Sequence, residues 1–336
     1  MTKRESEYRN TVGLISCSLL IFCVAFTVFG IFMTYFPLWL GGLPLALGDA
    51  IYQLVYAVMY AAVFLAPVLY FQKAHNRACP PEDLRLKITM GKNAFLYLFA
   101  GLAVIHAAAM VNAELFSIFE YALPSAPTTG FWVQESATNA QLISQLIVFA
   151  VVPPFVEELL FRGVVLSNLM PFGKTQAVLA SALLFGLMHQ NLSQILYATV
   201  AGLVLGYIYV QTRSIWPCVL LHFVNNAWSV LQTAWVERMP ADTALAVYTA
   251  LQALVYAAGV LCAILLILRS DKTEEEKAEN APAATEADTA PAQTEDGGET
   301  IPAARRAKLF FTPTTIAFFV VCAVQALLTF FDVALL

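Results

Sequence analysis

Long apolar stretches separated by short polar segments run along almost the whole chain. A membrane-spanning helix needs about 20 apolar residues, and that length predicts nine spans. The spans cover residues 12–36, 49–71, 94–116, 140–169, 175–189, 193–212, 215–234, 243–268 and 309–335. The fourth contains Pro153-Pro154, which removes backbone donors and predicts a kink or break. The pattern therefore predicts an all-α, polytopic transmembrane bundle of about eight to nine helices.

The composition agrees with this pattern and narrows the range of partners. The chain has 336 residues, of which 60% are hydrophobic and 12% are charged, about half the charged fraction of an ordinary soluble domain. Residues 270–300 hold ten acids and two lysines, so the remainder of the chain is slightly basic despite the net charge of −5. The sequence has neither a basic stripe nor a nucleic-acid motif, which argues against nucleic acid as a partner. The lipid bilayer is the expected surrounding.

Charge and composition also divide the chain into segments. Lys3, Arg4 and Arg9 precede the first span, and the excess of basic residues in alternate loops places the N-terminus in the cytoplasm. The first apolar stretch is too long for a signal peptide and is expected to remain as a helix. We predict a cytoplasmic segment 1–11, a membrane domain 12–269, a disordered acidic cytoplasmic linker 270–307 and an additional C-terminal transmembrane helix 308–336. A bacterial plasma membrane is the expected location.

Three charged side chains lie inside the fourth span, in the stretch "VVPPFVEELLFRG". Ionisable groups at membrane depth are costly and usually functional. Glu158 and Arg162 have the i,i+4 spacing of a helical ion pair, which could be purely structural. Glu157 points about 100° away from them and finds no partner on its own helix. A buried, unpaired carboxylate suits a general base, although a second structural carboxylate is the alternative.

Two further apolar spans carry imidazole and amide side chains. The stretch "LLFGLMHQN" places Phe185 and His189 at i,i+4, and "VLLHFVNNAW" does the same for His222 and Asn226. Each pair could serve only helix packing, as a satisfied core histidine or as an interhelical hydrogen bond. At about 1.5 Å per residue, Glu157, His189, His222 and Asn226 lie roughly 18, 21, 11 and 17 Å from the expected cytoplasmic helix ends. Their similar depth predicts one shared site.

A carboxylate and two imidazoles at one depth can activate water. Glu157 would act as the base and His189 would share or orient the water's proton, while His222 and Asn226 would donate to the oxyanion of a tetrahedral intermediate. Glu157, His189 and His222 could instead hold a catalytic zinc ion. The sequence lacks "HExxH", and Asn226 suits an oxyanion donor better than a zinc ligand. A site without a cofactor is therefore preferred, with zinc as the alternative.

At these residues the chain resembles the CPBP intramembrane proteases, also called the type II CAAX prenyl endopeptidase, abortive-infection or bacteriocin-processing family. The family pattern is EExxxR, then FxxxH, then HxxxN. It is matched here by "EELLFR" (Glu157, Glu158, Arg162), "FGLMH" (Phe185, His189) and "HFVNN" (His222, Asn226). The resembling region covers about 140–235, under a third of the chain, and is the expected protease core.

The resemblance implies a helical membrane core around a conical cavity open to the cytoplasm. It also implies a glutamate-dependent endopeptidase with Glu157, His189, His222 and Asn226 as catalytic residues. Glu158, Arg162 and Phe185 would then be supporting residues. The substrate would be a membrane protein or a lipidated peptide, of CAAX-like or bacteriocin type. A non-catalytic membrane scaffold or a bacteriocin self-immunity protein is the alternative function, and a transporter fits less well because paired broken helices are missing.

Overall fold

The computed structural model describes residues 1–75, 88–122, 138–279 and 300–330, which form ten helices and, over those ranges, contain no strand. The helices are α1 Lys3–Leu40, α2 Leu45–Ala74, α3 Ala94–Ala122, α4 Asn139–Phe172, α5 Lys174–Leu187, α6 Leu192–Thr212, α7 Trp216–Arg238, α8 Ala241–Glu279, α9 Ala303–Phe310 and α10 Pro313–Phe330. They pack as one bundle, and the all-α prediction is confirmed.

The first eight predicted spans each correspond to one helix, but not every helix could cross a membrane alone. Within the described ranges, six helices are long and apolar enough, or seven if α9 and α10 are taken as one bent span. The remaining two are α5, which has 14 residues, and α7, which carries several polar side chains. These helices belong to a multi-pass membrane protein, while the cytoplasmic N-terminus and the plasma membrane location stay predictions.

The proline pair in α4 deforms the helix without interrupting it. A π-helical segment, Leu146–Val151, precedes the prolines, and a second one, Leu159–Leu166, follows Glu158. Prolines donate no backbone hydrogen bond, so the turn before them cannot complete the usual i→i−4 pattern. Short π-helical segments of this kind are frequent at functional sites. The expected kink or break therefore takes the form of wider turns on both sides of Glu157.

The predicted last span, 309–335, begins at the wrong residue. The structure has two helices there, α9 and α10, that meet at an angle of 67°. Pro313 is the first residue of α10, and the Thr312 hydroxyl accepts a hydrogen bond from the Thr315 backbone at 3.1 Å. A proline at the first position and a threonine before it favour a new helix start. Residues 331–335 lie outside the described part of the chain.

The C-terminal helices pack against α1. The hydroxyls of Ser16 and Thr315 lie 2.7 Å apart in the buried interface, and the Gln325 amide donates to Thr27 at 2.8 Å. Of the predicted disordered linker, 270–307, residues 280–299 lie outside the described part of the chain. At its edges α8 continues to Glu279 and α9 begins at Ala303, so helices occupy both ends of the predicted linker.

The α5–α6 pair packs closely enough that small residues are required between the helices. A Cβ atom on Gly186 would lie 2.7 Å from the Ile195 carbonyl oxygen, and one on Gly202 would lie 2.9 Å from the Ala182 Cα. Small residues that let helix backbones approach are typical of membrane interfaces. This contact fixes the end of α5, from which the chain continues into His189.

We expect Gly186→Val to destabilise the protein by about 1–3 kcal/mol, because the new side chain has to displace the backbone of α6. Thermal unfolding in detergent, followed by tryptophan fluorescence, would measure the change. Gly30→Val is the control, since a Cβ there meets nothing within 4 Å. Equal unfolding temperatures for the two variants would contradict the close packing.

Candidate active site

One cavity of about 1010 Å³ brings the predicted site residues together. Glu157, His189, His222 and Asn226 all line it. Glu157 comes from the middle of α4, His189 from the turn after α5, and His222 and Asn226 from α7. The structure thus brings residues of three separate apolar stretches to one cavity, as the sequence predicted, while their role stays a prediction.

Glu157 is almost completely buried, with 3% of its surface exposed. Its Oε1 accepts a hydrogen bond from the Tyr60 hydroxyl of α2 at 2.6 Å. Its Oε2 lies 3.9 Å from His222 Nε2 and has no hydrogen-bond donor among the described groups. The carboxylate thus has one oxygen held in place and one oxygen without a donor.

Glu158 and Arg162 form the expected ion pair, fully buried, with 3.0 Å between Arg162 Nη1 and Glu158 Oε1. Arg162 also donates to the Gly202 carbonyl at 3.0 Å, and its guanidinium lies 4.9 Å from the Phe185 ring centre. These contacts join α4 to α5 and α6. The predicted supporting residues therefore meet in one cluster beside the cavity.

Glu158 has a second partner that the sequence did not indicate. His222 Nδ1 lies 3.0 Å from Glu158 Oε1. A carboxylate oxygen accepts, so Nδ1 carries the proton, and the ring's orientation is fixed with Nε2 on the side of Glu157. The pair Glu158–Arg162 therefore also positions His222.

His189 lies in the turn after α5, whereas the sequence placed it on the helix itself. Helix α5 ends at Leu187, and the His189 backbone N–H reaches the Gly186 carbonyl at 3.2 Å. The imidazole Nδ1 lies 2.9 Å from the Phe185 carbonyl oxygen, which can only accept. His189 therefore carries its proton on Nδ1, and in the neutral ring Nε2 is a proton acceptor.

Asn226 depends on the proline pair of α4 for its orientation. Its Nδ2 donates to the Phe149 carbonyl at 3.0 Å. The backbone donors that could reach this carbonyl from four or five residues along the helix would belong to Pro153 and Pro154, which have none. The prolines thus leave that carbonyl open to the amide of α7. One Nδ2–H of Asn226 is used in this way, and the second has no acceptor among the described residues.

Two polar groups of the site were not predicted from the sequence. Asn225 lines the same cavity and donates to Asn226 Oδ1 at 3.2 Å. It also pairs with the Tyr197 hydroxyl, at 2.7–2.9 Å. Tyr60 was missed completely. The tyrosines at positions 52, 56 and 60 recur every four residues on α2, and this spacing was the available signal.

A preassembled zinc site is not found among the described side chains. A zinc ion needs its nitrogen and oxygen ligands at about 2.0–2.2 Å from one point. Over the described ranges, no three His, Cys, Asp or Glu side chains are placed to hold a metal ion. The mechanism proposed below therefore uses only side chains of the chain itself.

Comparison with known proteins singles out this same part of the chain. Residues 139–228 match the family described as type II CAAX prenyl endopeptidase Rce1-like. This match supports the resemblance of that segment to the CPBP family. A Bacillus subtilis (strain 168) protein named "Putative membrane peptidase YdiL" is 32% identical over 89 residues, which are 26% of this chain and 36% of the relative. The chain thus matches about a third of the length of that relative. No solved structure matches the chain.

The matched segment contains every site residue that the sequence predicted, from Glu157 to Asn226. It also contains both π-helical turns of α4. Tyr60 lies 97 residues before its partner Glu157 and outside the matched segment. The site is thus completed by a helix that the family match does not cover.

Proposed function

We propose that the protein is an intramembrane endopeptidase that hydrolyses a peptide bond of a membrane-associated substrate. The observation that carries the proposal is the convergence of Glu157, His189, His222 and Asn226 on one cavity, inside the segment that matches the type II CAAX prenyl endopeptidase family. This match and the similarity to a protein named as a membrane peptidase support proteolysis in general. The roles of the individual residues rest on the site geometry.

In the proposed mechanism, Glu157 takes a proton from a water molecule that is also held by His189 Nε2. The resulting hydroxide attacks the scissile carbonyl carbon, and the electrons of the C=O bond move onto its oxygen. Preorganised donors at this oxygen are usually among the largest contributions to catalysis. The proton on Glu157 then passes to the leaving amine as the C–N bond breaks, which gives a carboxylic acid and an amine.

The oxyanion donors would be the second Nδ2–H of Asn226 and Nε2–H of His222. His222 already donates to Glu158 through Nδ1, so donating through Nε2 as well requires that the ring carry both protons. With both protons the His222 ring is positively charged. Before the water gives up its proton, the positive charges of His222 and Arg162 then balance the negative charges of Glu157 and Glu158. Asn226 is held by the Phe149 carbonyl and needs no such change.

The proposal is tested with the purified chain in liposomes and two internally quenched peptides. One ends in a farnesylated Cys-aliphatic-aliphatic-X sequence, and the other is an apolar peptide without a lipid. We expect cleavage of at least one at a single bond, and in heavy-oxygen water the new carboxyl terminus should carry the label. If the folded protein cleaves neither peptide, and membranes of cells with and without it contain the same set of protein fragments, the proposal is wrong.

A further inference from the structure

The hydroxyl of Tyr60 makes the shortest contact to the proposed base. It donates to Glu157 Oε1 at 2.6 Å, the length of a strong O–H···O⁻ bond. Glu157 is buried, and Tyr60 lines the same cavity. Among the described contacts, no residue of the matched segment 139–228 donates a hydrogen bond to the Glu157 carboxylate. Its donor is Tyr60, which lies on α2.

The Tyr60 ring is held by aromatic neighbours on both sides. Tyr56, one turn earlier, stacks on it at 5.9 Å with 12° between the planes, and Phe64, one turn later, lies at 4.9 Å. Phe29 of α1 meets the ring edge-on at 6.2 Å. Aromatic pairs at such distances favour fixed ring geometries. The position of the hydroxyl is therefore set by the packing of α1 and α2.

We infer that Tyr60 is a positioning residue for Glu157, a role that rests on the proposed function of that glutamate. By binding Oε1, the hydroxyl prevents the carboxylate from rotating and leaves Oε2 as the oxygen that can receive a proton. A general base must lie within hydrogen-bond reach of the proton that it removes, and small misplacements are costly. The helix pair α1–α2 is thereby made part of the active site.

The role predicts a loss of turnover without a matching loss of substrate binding. Tyr60→Phe removes only the hydroxyl, and we expect kcat to fall about 10- to 100-fold because a hydrogen bond to a charged group is lost. KM should change less than about 2-fold, because the hydroxyl contacts Glu157. The cleavage assay described above, with full titration of the peptide, measures both constants.

Tyr52→Phe is the matched control. Tyr52 lies two turns earlier on α2, takes part in the same aromatic row and does not line the cavity. It should keep both constants at the wild-type value. Thermal unfolding of both variants shows whether the fold is intact. If Tyr60→Phe is folded and turns over as fast as Tyr52→Phe, the inference is wrong.

A double variant separates this inference from the proposed function. In Glu157→Gln the base is absent, so adding Tyr60→Phe should not slow the residual reaction further. If Glu157→Gln is inactive and Tyr60→Phe is fully active, only the positioning role fails. If Glu157→Gln is fully active, the proposed function fails with it.

A readout that needs no substrate is the Raman signal of the tyrosine hydroxyl. The difference spectrum between wild type and Tyr60→Phe should contain the signature of a strong hydrogen-bond donor, and Glu157→Leu should remove that signature. Retention of the signature in Glu157→Leu would show that the hydroxyl bonds elsewhere and would overturn the inference.

Discussion

Glu157→Gln should lower the rate of peptide cleavage about 10²- to 10⁴-fold, which is the usual contribution of a general base. The substitution keeps the size and shape of the side chain, and the Tyr60 hydroxyl can still donate to the amide oxygen. The fold should therefore be preserved while the proton acceptor is lost. Initial rates with the two quenched peptides would measure the effect.

The control for this variant is Glu7→Gln, which removes a carboxylate from the exposed beginning of α1, away from the cavity. Its rate should equal that of the wild type. A rate for Glu157→Gln within about 2-fold of this control would mean that Glu157 is structural. That result would favour the reading of the protein as a non-catalytic scaffold or immunity protein.

Arg162→Met should destabilise the protein by about 3–5 kcal/mol, the usual effect of breaking a buried ion pair from one side. Arg162 is fully buried and contacts the Glu158 carboxylate and the Gly202 carbonyl. Without it, Glu158 keeps its charge in a dry environment with only His222 as a partner. Thermal or denaturant unfolding in detergent would detect a change of this size.

Two further variants show whether the charge is the cause. Arg162→Met combined with Glu158→Gln should recover part of the lost stability, because no unpaired charge remains. Arg305→Gln breaks the exposed ion pair in which Arg305 Nε lies 2.8 Å from Glu5 Oε1. This variant should change stability little. If Arg162→Met unfolds at the same temperature as Arg305→Gln, the buried pair does not hold α4 to α6.

The sequence predicted the helices and the site residues because both leave local signals. Helix length follows from the apolar stretches, and the glutamates, histidines and Asn226 are conspicuous within them. The similar depth of these side chains could be predicted because the distance of a side chain from its own helix end depends mainly on helical rise. It does not depend on how the helices are arranged around one another.

The sequence did not predict contacts that join distant parts of the chain. The Tyr60–Glu157 bond spans 97 residues, and the His222–Glu158 contact spans 64. Such pairs are decided by the packing of whole helices. The π-helical turns in α4 and the bend between α9 and α10 were missed for another reason. The prolines were visible, but a proline alone does not specify whether a helix breaks, bends or widens.

The packing of the C-terminal helices also joins distant parts of the chain. The sequence predicted an additional transmembrane helix after a linker, without a contact to the rest of the bundle. In the structure α10 packs on α1 through Ser16 and Thr315. Phe29 of α1 contacts Tyr60 of α2, so α10 packs on the helix that helps to hold the proposed positioning residue Tyr60. This connection appears only when the packing of α1 is known.

The most direct test of the central claim is a comparison of Glu157→Gln, His189→Gln and the double variant in the peptide cleavage assay. Residues that act on one water molecule act as a unit, and their losses do not multiply. If Glu157 and His189 hold the same water molecule, the double variant should cleave about as slowly as the slower single variant. Losses that multiply, or a single variant with the wild-type rate, would contradict the claim that the two side chains serve one hydrolytic site.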